Sequence, residues 1–524
     1  MMFSLSLRDM SLRRGLLFAF AFGFFLRLLP EILSFPNPIG FDTIYYAWRI
    51  KSGVVWYHWT QVFSTWLLYG MLVPVYDAVR GDPFVLLKVA APLLFGLNAA
   101  GVYYFAVKAL KWTVKNGLVT AVFFSFQLAV LAISWGFFRN MLGLGVLLFA
   151  LPWLVSGLRG FREMAVFAVL SVLVVLSHEF ASAILLVVVL VVVFSLLLRR
   201  DGERASRVLF ASVPMFVLLL AEVYFIVVHV AYAGQVNVTY AYQSVGHYRG
   251  LFSLMTNYLV VYDTVQSYSS YLVLVSHVLS LFALLYLAVL PLVLVGFFRD
   301  RVLNSWLGLL LIGSFGSLVM PFFALDMWSR WMLMLVYPFS FYAVNGVARV
   351  LRADGLSVRP VFRWLNWMRV SRRALEAFVF VSVLLGSVFM ATPLAAGQAG
   401  VFGFATTVAY VPSTMQSNSV PLCDTGSTVR VLEWLGGRMD NRSVLLVHDA
   451  FYNWVRLILD DRFELVYFKG DVEGAVGLAL SRGFSPVYLV WWNVNIGWYG
   501  FTVPSGFLPV FSDGRISAFQ YLAE

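Results

Sequence analysis

The chain has 524 residues and a formal net charge of +11, yet only 12% of its residues are charged and 61% are hydrophobic. A soluble domain carries about 25% charged residues, so a water-soluble globular protein is excluded and lipid is the required solvent. The basic residues are not gathered on one face or arm, which argues against a nucleic-acid partner, and the single cysteine, Cys423, leaves no internal disulfide and no CxxC metal site.

A membrane span needs about 20 apolar residues. In chain order, hydropathy predicts spans at Leu16–Leu33, Phe84–Val107, Gly117–Ile133, Met141–Leu158, Ala165–Ser177, Ala181–Leu198, Val208–Ala231, Tyr271–Phe297, Leu303–Phe323, Trp331–Ala348 and Ala374–Thr392, about eleven in all. The first is expected to be retained, because no small-residue cleavage site follows Met1 and the segment runs into Pro30 and Glu31. Trp59–Val79 is long enough to span but is interrupted by Gln61, Pro74 and Asp77. If it does not cross, one side of the membrane collects Arg8, Arg13, Arg14, Lys108, Lys111, Lys115, Arg159, Arg162, Arg199, Arg200, Arg204, Arg207, Arg299, Arg301 and the arginines between Arg349 and Arg373. The other side keeps only Arg49, Lys51, Arg80, Lys88, Arg139, Arg249 and Arg330 before the C-terminal region. Such an imbalance marks the first side as cytoplasmic. The expected topology has the N-terminus in and the C-terminus out, with Trp59–Val79 a juxtamembrane or re-entrant helix in a long first outer loop, 34–83.

This topology brings Asp42, Arg49, Lys51, His58, Asp77, Arg80, Arg139, His178, Glu179, His247, Arg249, Asp263, Asp326 and Arg330 to the outer side. Ionisable groups at membrane depth are costly and usually face a cavity. Any one of them alone reads more simply as an interfacial anchor or half of a structural ion pair. Their convergence on one face predicts a polar cavity there. The first outer loop, Pro36-Asn37-Pro38-Ile39-Gly40-Phe41-Asp42-Thr43-Ile44-Tyr45-Tyr46-Ala47-Trp48-Arg49-Ile50, breaks the first span with prolines and a glycine. It then offers a carboxylate three and four residues before two tyrosines, on one face if the run is helical. Asp42 at this wet interface fits a general base or metal ligand, and fits equally the N-cap of the following helix.

The pattern Gly-x-Asp-x-x-Tyr-Tyr in this loop resembles that of membrane glycosyltransferases of the C-type (GT-C) fold, the group of oligosaccharyltransferase catalytic subunits, protein mannosyltransferases and aminoarabinose transferases. The resemblance implies many spans, a long first outer loop with juxtamembrane helices, a C-terminal outer domain, and a catalytic acid where Asp42 stands. Arg49 comes close to an arginine that follows the Asp-x-x-Tyr of the oligosaccharyltransferase subunit. That subunit also has an acidic pair in its next outer loop, whereas Ser134–Asn140 here offers Arg139 and no carboxylate. Asp42, His178 and Glu179 could together hold a divalent ion such as Mg or Mn. A His-Glu pair without a second histidine is no zinc motif, and no fixed metal is expected.

The activity implied is transfer of a sugar or glycan from a polyprenyl-phosphate-linked donor to a protein, lipid or glycan acceptor on the outer face of the cell membrane. Asp42 would orient or deprotonate the acceptor. Arg139 and Arg330 would hold the departing phosphate, since guanidinium is planar, permanently charged and bidentate. Tyr45, Tyr46, Arg49, His58, His178, Glu179 and Asp326 would line the cavity. Arg330 has a plainer reading as the i,i+4 partner of Asp326. Two other functions are weighed: a lipid or solute transporter, which would want midplane charges, broken helices and repeats, and a non-catalytic scaffold that binds lipid-linked glycan. No Walker loop, GxGxxG or nucleophile elbow occurs.

Residues 1–394 thus form the expected transmembrane region and 395–421 a linker rich in Gly, Ser, Thr and Gln. In 422–524 the pattern predicts helices at Thr428–Leu435, Phe451–Leu459 and Val472–Leu480 alternating with strands at Ser443–Val447, Glu464–Phe468 and Val487–Trp492, a small outer α/β domain with parallel strands. His448 and Asp449 follow the first strand, where α/β ligand sites lie, and are the acceptor-side candidates. Asp449 is also the one match to a Trp-Trp-Asp signature of the oligosaccharyltransferases. A lid or assembly domain is an equal reading. The sequons Asn237-Val238-Thr239 and Asn441-Arg442-Ser443 both fall on the expected outer side.

Overall fold

A computed structural model of the chain describes residues 11–53, 66–227, 238–240, 259–261, 271–319, 323–325, 328–351, 372–391, 418–460, 462–468, 470–494 and 502–522. The helices in chain order are α1 (Leu12–Leu33), α2 (Thr43–Ser52), α3 (Leu67–Val79), α4 (Pro83–Lys108), α5 (Val114–Ser125), α6 (Leu128–Gly136), α7 (Phe138–Ser156), α8 (Phe161–Ser177), α9 (Glu179–Leu198) and α10 (Gly202–Val227). After these come α11 (Tyr271–Tyr286), α12 (Leu290–Gly296), α13 (Arg301–Val319), α14 (Trp328–Met334), α15 (Val336–Val350) and α16 (Arg372–Ala391). The C-terminal unit adds α17 (Thr425–Arg438), α18 (Asp449–Ile458) and α19 (Val472–Ser481).

Each of the eleven expected spans falls at least in part on a helix or a bent helix pair; Val208–Ala231 runs beyond Val227 outside the described residues, and Leu303–Phe323 is helical to Val319 with Phe323 in a short strand. Among the described residues, six helices are long and apolar enough to cross a membrane: α1, α4, α7, α9, α10 and the continuous α14–α15. The number rises to eight if the pairs α5–α6, bent by 64°, and α11–α12, bent by 75°, each count as one span. Length and composition therefore support six to eight of the eleven, and α8, α13 and α16 fall outside that test. The chain is a multi-pass helical membrane protein. α3 has 13 residues, about 20 Å at 1.5 Å per residue, too short to cross a core of about 30 Å.

Two kinds of contact hold the bundle. Backbones approach closely where α1 crosses α4: a Cβ on Gly23 would lie 2.8 Å from Ala99 Cβ, and one on Gly96 would lie 2.8 Å from the Phe20 carbonyl oxygen. Small residues permit this packing where lipid supplies no hydrophobic drive between helices. Polar side chains then pin three helices together. Asn98 Nδ2 donates to the Leu94 and Met141 carbonyls at 2.7 and 2.9 Å, and Tyr337 Oη donates to Asn98 Oδ1 at 2.7 Å.

A buried ionic cluster that the hydropathy reading passed over ties α1, α4 and α6 together. Arg27 pairs with Glu31 at 2.8 Å, one turn along α1, and Lys88 pairs with the same carboxylate at 3.0 Å. Arg27 Nε also donates to Ser134 Oγ at 2.8 Å, and Lys88 to Ser34 Oγ at 2.8 Å. All three ionic groups are buried.

The C-terminal unit carries a mixed sheet. Strands β4 (Val444–His448), β5 (Glu464–Phe468) and β6 (Val487–Trp492) pair in parallel around β4. The hairpin β7 (Phe507–Asp513) and β8 (Ile516–Tyr521) adds antiparallel to β6. The other edge is completed from the membrane region: β1 (Val238–Tyr240), between α10 and α11, pairs in parallel with β5, Thr239 opposite Val466. A separate ribbon joins β2 (Leu259–Val261) to β3 (Phe323–Leu325). The unit rests on the first loop. Lys51 Nζ reaches the Leu457 carbonyl at 2.8 Å, the Arg456 guanidinium lies 3.5 Å over Trp48, and Asn418 Nδ2 donates to the Pro38 carbonyl at 3.0 Å.

Glu31→Ala leaves two buried cations without their counter-ion, which costs on the order of 3–5 kcal/mol. The expected outcome is a clearly lower thermal midpoint of the detergent-purified protein. An unchanged midpoint would show that the cluster contributes nothing to holding the three helices.

Candidate active site

The chain leaves α1 and turns onto the end of α6. Gly40 has φ +95°, and a Cβ there would fall 1.4 Å from the Trp135 carbonyl oxygen, so only glycine fits. Thr43 Oγ1 donates to the Ile39 carbonyl at 2.6 Å and lies 3.4 Å from the Trp135 carbonyl. Asp42 occupies the N-cap position of α2 yet makes no side-chain capping bond. Its carboxylate faces Arg330 instead, with Oδ2 3.8 Å from Nη2. That guanidinium lies 4.4 Å over the Phe137 ring. Phe137 sits in the break between α6 and α7, directly before the helix that carries Arg139.

The side chains of Asp42, Glu179 and Arg330 keep 28%, 41% and 24% of their surface accessible. Burial pushes the Asp42 carboxyl up from the usual carboxylate range, and Arg330, then Arg139, draw it back. Burial likewise pushes the Tyr46 phenol up to about 12, against the pull of Arg139.

Arg139 and Arg330 both act on Asp42, Tyr46, His178 and Glu179, and Arg139 interacts with Tyr69 and Tyr45 as well. Asp42, Tyr45, Tyr46, Arg139, His178, Glu179 and Arg330 therefore share one electrostatic neighbourhood. Arg49 turns elsewhere and is buried among rings, 5.1 Å from the Tyr69 centroid and 5.8 Å from that of Tyr45. His58 and Asp326 lie outside the described residues.

Among the described residues, no three His, Cys, Asp or Glu side chains converge to hold a metal. Asp42 faces a cation, and His178 Nδ1 accepts the Phe180 N–H at 3.1 Å. That nitrogen accordingly carries no proton, and its 3.9 Å approach to Glu179 Oε2 is not an ion pair. The donor set does not suit Mg or Mn, which want several oxygen ligands.

His448 repeats the same device in the C-terminal unit. It is buried, its Nδ1 accepts the Ala450 N–H at 3.3 Å as the cap of α18, and its ring meets Phe468 and Trp491. Asp449 accepts the Tyr467 hydroxyl.

Two residues of this neighbourhood were missed in the sequence. Phe137 gives no signal at all, being one aromatic among many. Glu222 does give one, a lone carboxylate late in an apolar span. It is buried, its Oε1 has no hydrogen-bond partner among the described residues, and it interacts with Glu179. The antiparallel α9–α10 hairpin, turned at 199–201, brings the two carboxyls to the same depth.

No protein-family model and no curated protein sequence matches the chain. Solved structures do. ArnT from Cupriavidus metallidurans bound to undecaprenyl phosphate aligns over 97% of this chain and 98% of that one, at 14% identity and a TM-score of 0.52. The apo state of the same protein gives 13% identity and a TM-score of 0.50 over the same shares. The oligosaccharyltransferase AglB from Archaeoglobus fulgidus, in complex with an inhibitory peptide and a dolichol-phosphate, aligns over 90% of this chain and 69% of that one, at 13% identity and a TM-score of 0.44, too low to argue from. At such identity the ArnT likeness establishes the fold: nearly the whole chain adopts the GT-C architecture of polytopic membrane glycosyltransferases.

Proposed function

We propose that the chain is a membrane glycosyltransferase that moves a sugar or glycan from a polyprenyl-phosphate-linked donor to an acceptor on the outer face. The observation that carries this reading is the uncapped Asp42 carboxylate facing Arg330 across 3.8 Å, both side chains partly accessible, with Arg139 acting on the same carboxylate. The sidedness rests on the basic residues of the opposite loops.

In the proposed reaction the acceptor O–H or N–H attacks the anomeric carbon and its proton passes to Asp42. The bond from that carbon to the phosphate oxygen breaks, and the electron pair leaves with the phosphate. The transition state is oxocarbenium-like. Arg330 and Arg139 stabilise the charge that gathers on the leaving phosphate, worth about 3 kcal/mol per donor in comparable sites. One displacement on one face inverts the anomeric configuration. Phe137 holds the Arg330 guanidinium by stacking. No step requires a metal.

A transporter reading draws on the two bent helix pairs, since broken helices frame many transport sites. The candidate cluster, however, is drawn from the first loop and from the starts of α7, α9 and α14, all at one end of the bundle. A scaffold that only binds lipid-linked glycan differs from a transferase in one measurement, the appearance of glycosylated acceptor.

Asp42→Asn is expected to lower turnover by about 10²–10⁴-fold while leaving expression and folding intact. Normal turnover would remove Asp42 from the mechanism. The wild-type pH profile of kcat/KM should fall on the acid side at a pH above the usual carboxylate range, because the base must be deprotonated and burial raises its pKa. Arg330→Gln removes the strongest opposing charge, so it should move that limb to still higher pH as well as slow the reaction. A limb that stayed in place would mean that Asp42 is not the group titrating.

A further inference from the structure

Among the described residues, the C-terminal unit touches the loop that carries Asp42 at two places, on either side of that residue. Before it, Asn418 Nδ2 donates to the Pro38 carbonyl at 3.0 Å. Asn418 is itself held, its Oδ1 accepting the Val420 N–H at 2.9 Å and its Nδ2 lying 3.3 Å from Thr425 Oγ1. Beyond it, the last turns of α2 meet α18. The Arg456 guanidinium stacks 3.5 Å over Trp48. Lys51 Nζ donates to the Leu457 carbonyl at 2.8 Å and pairs with Asp460 at 3.0 Å, so a cation satisfies the carbonyl end of α18. Trp454, from the same face of α18, packs against Phe84 at the start of α4.

α2 has ten residues, about 15 Å of helix. A helix of that length is marginal on its own. Its cap residue spends no side chain on holding it. Its stability and its direction must therefore come from the surfaces that grip it. The bundle supplies one at its start, with Gly40 and Thr43 against Trp135, and one along its length, with Tyr46 against Phe138 and Tyr69. α18 supplies another, at the far end.

We infer that the C-terminal unit is a brace for the catalytic loop: α18 clamps the end of α2, and Arg456 is a positioning residue that sets where the Asp42 carboxylate stands relative to Arg330. Arg456 is buried against Trp48 and Tyr452, and among the described residues no contact joins it to Asp42 or Arg330, so its influence on that pair runs through α2. The inference rests on the transferase reading and adds a requirement to it. The outer unit is needed for turnover even when donor and acceptor are both bound.

The test uses the full-length protein and reads two quantities. Hydrogen–deuterium exchange of peptides covering 38–53 reports on α2 without reference to any substrate. Steady-state kinetics with polyprenyl-phosphate-linked sugars reports on turnover. In Arg456→Ala, exchange in α2 is expected to quicken by about tenfold or more. kcat is expected to fall by about tenfold or more with KM for the lipid donor unchanged, because a misplaced base costs rate rather than donor binding. Arg456→Lys, which keeps a cation over Trp48, should recover most of both. Lys51→Ala should reproduce the effect more weakly and guards against a folding defect peculiar to Arg456→Ala. Unchanged exchange in α2 overturns the brace whatever the kinetics show. Faster exchange with unchanged kcat overturns the positioning role. A wild-type chain inert toward these donors whose α2 still responds to Arg456→Ala would overturn the transferase reading, and the positioning role with it.

Discussion

Taking a charge out of water is expensive, and the cost falls only when an opposite charge or a set of hydrogen-bond donors travels with it. That constraint arranges this molecule. Arg27, Glu31 and Lys88 enter the bundle as a unit, each nitrogen or oxygen finding a partner within about hydrogen-bond distance. Asn98 and Tyr337 do the same without charge. Near the first loop the pairing is looser. Asp42 and Arg330 face each other at 3.8 Å, longer than a direct hydrogen bond, and keep accessible surface. Glu222 keeps a buried oxygen without a partner among the described residues.

The close approach of Gly40 to Trp135 converts this chemistry into geometry. α6 is the second half of a bent helix pair and ends at Gly136, where a Cβ would lie 3.3 Å from the Asp42 amide nitrogen. The bend therefore delivers a helix end to the first loop, and the missing side chains at positions 40 and 136 let the loop settle onto it. Phe137 then passes directly under Arg330 and starts the helix that bears Arg139. A few consecutive residues, Ser134 to Arg139, thus anchor Arg27, receive the loop, stack one arginine and present another.

Much of this could be read from the sequence, because hydropathy and helix breaking are local properties. The spans follow from runs of apolar residues. The first loop follows from Pro36, Pro38 and Gly40. β5 and β6 have the residue limits that their β-branched and aromatic runs predict. What stayed hidden depends on partners far apart in the chain. Arg27 reads as a flaw in a span until Ser134 and Glu31 are seen beside it. β1 has three residues and no pattern of its own, and it is a strand only because β5 offers an open edge. The hairpin β7–β8 was missed for another reason. Leu508 and Val510 are exposed, so its apolar residues do not alternate in the way a half-buried strand leads one to expect. His448 and Asp449 show the reverse: a position favoured for ligands by strand topology here also serves helix capping and a tyrosine hydroxyl.

The pairing of Asp42 with Arg330 has one further consequence for the proposed reaction. A cation beside a carboxylate keeps it ionised but makes it a weaker base. A phosphate entering the cavity competes for the same guanidinium, and it is the better bidentate partner. As Arg330 turns toward the phosphate, its hold on Asp42 weakens and the carboxylate becomes more basic. The cation that lowers the barrier to phosphate departure is then also the one whose diversion readies the base. Arg330 can serve both ends only if it is free to move by a small distance while Asp42 stays fixed. The contacts match that division. Among the described residues one ring lies under Arg330 and permits sliding, whereas Asp42 stands on a loop gripped by a glycine-to-carbonyl contact on one side and by α18 on the other.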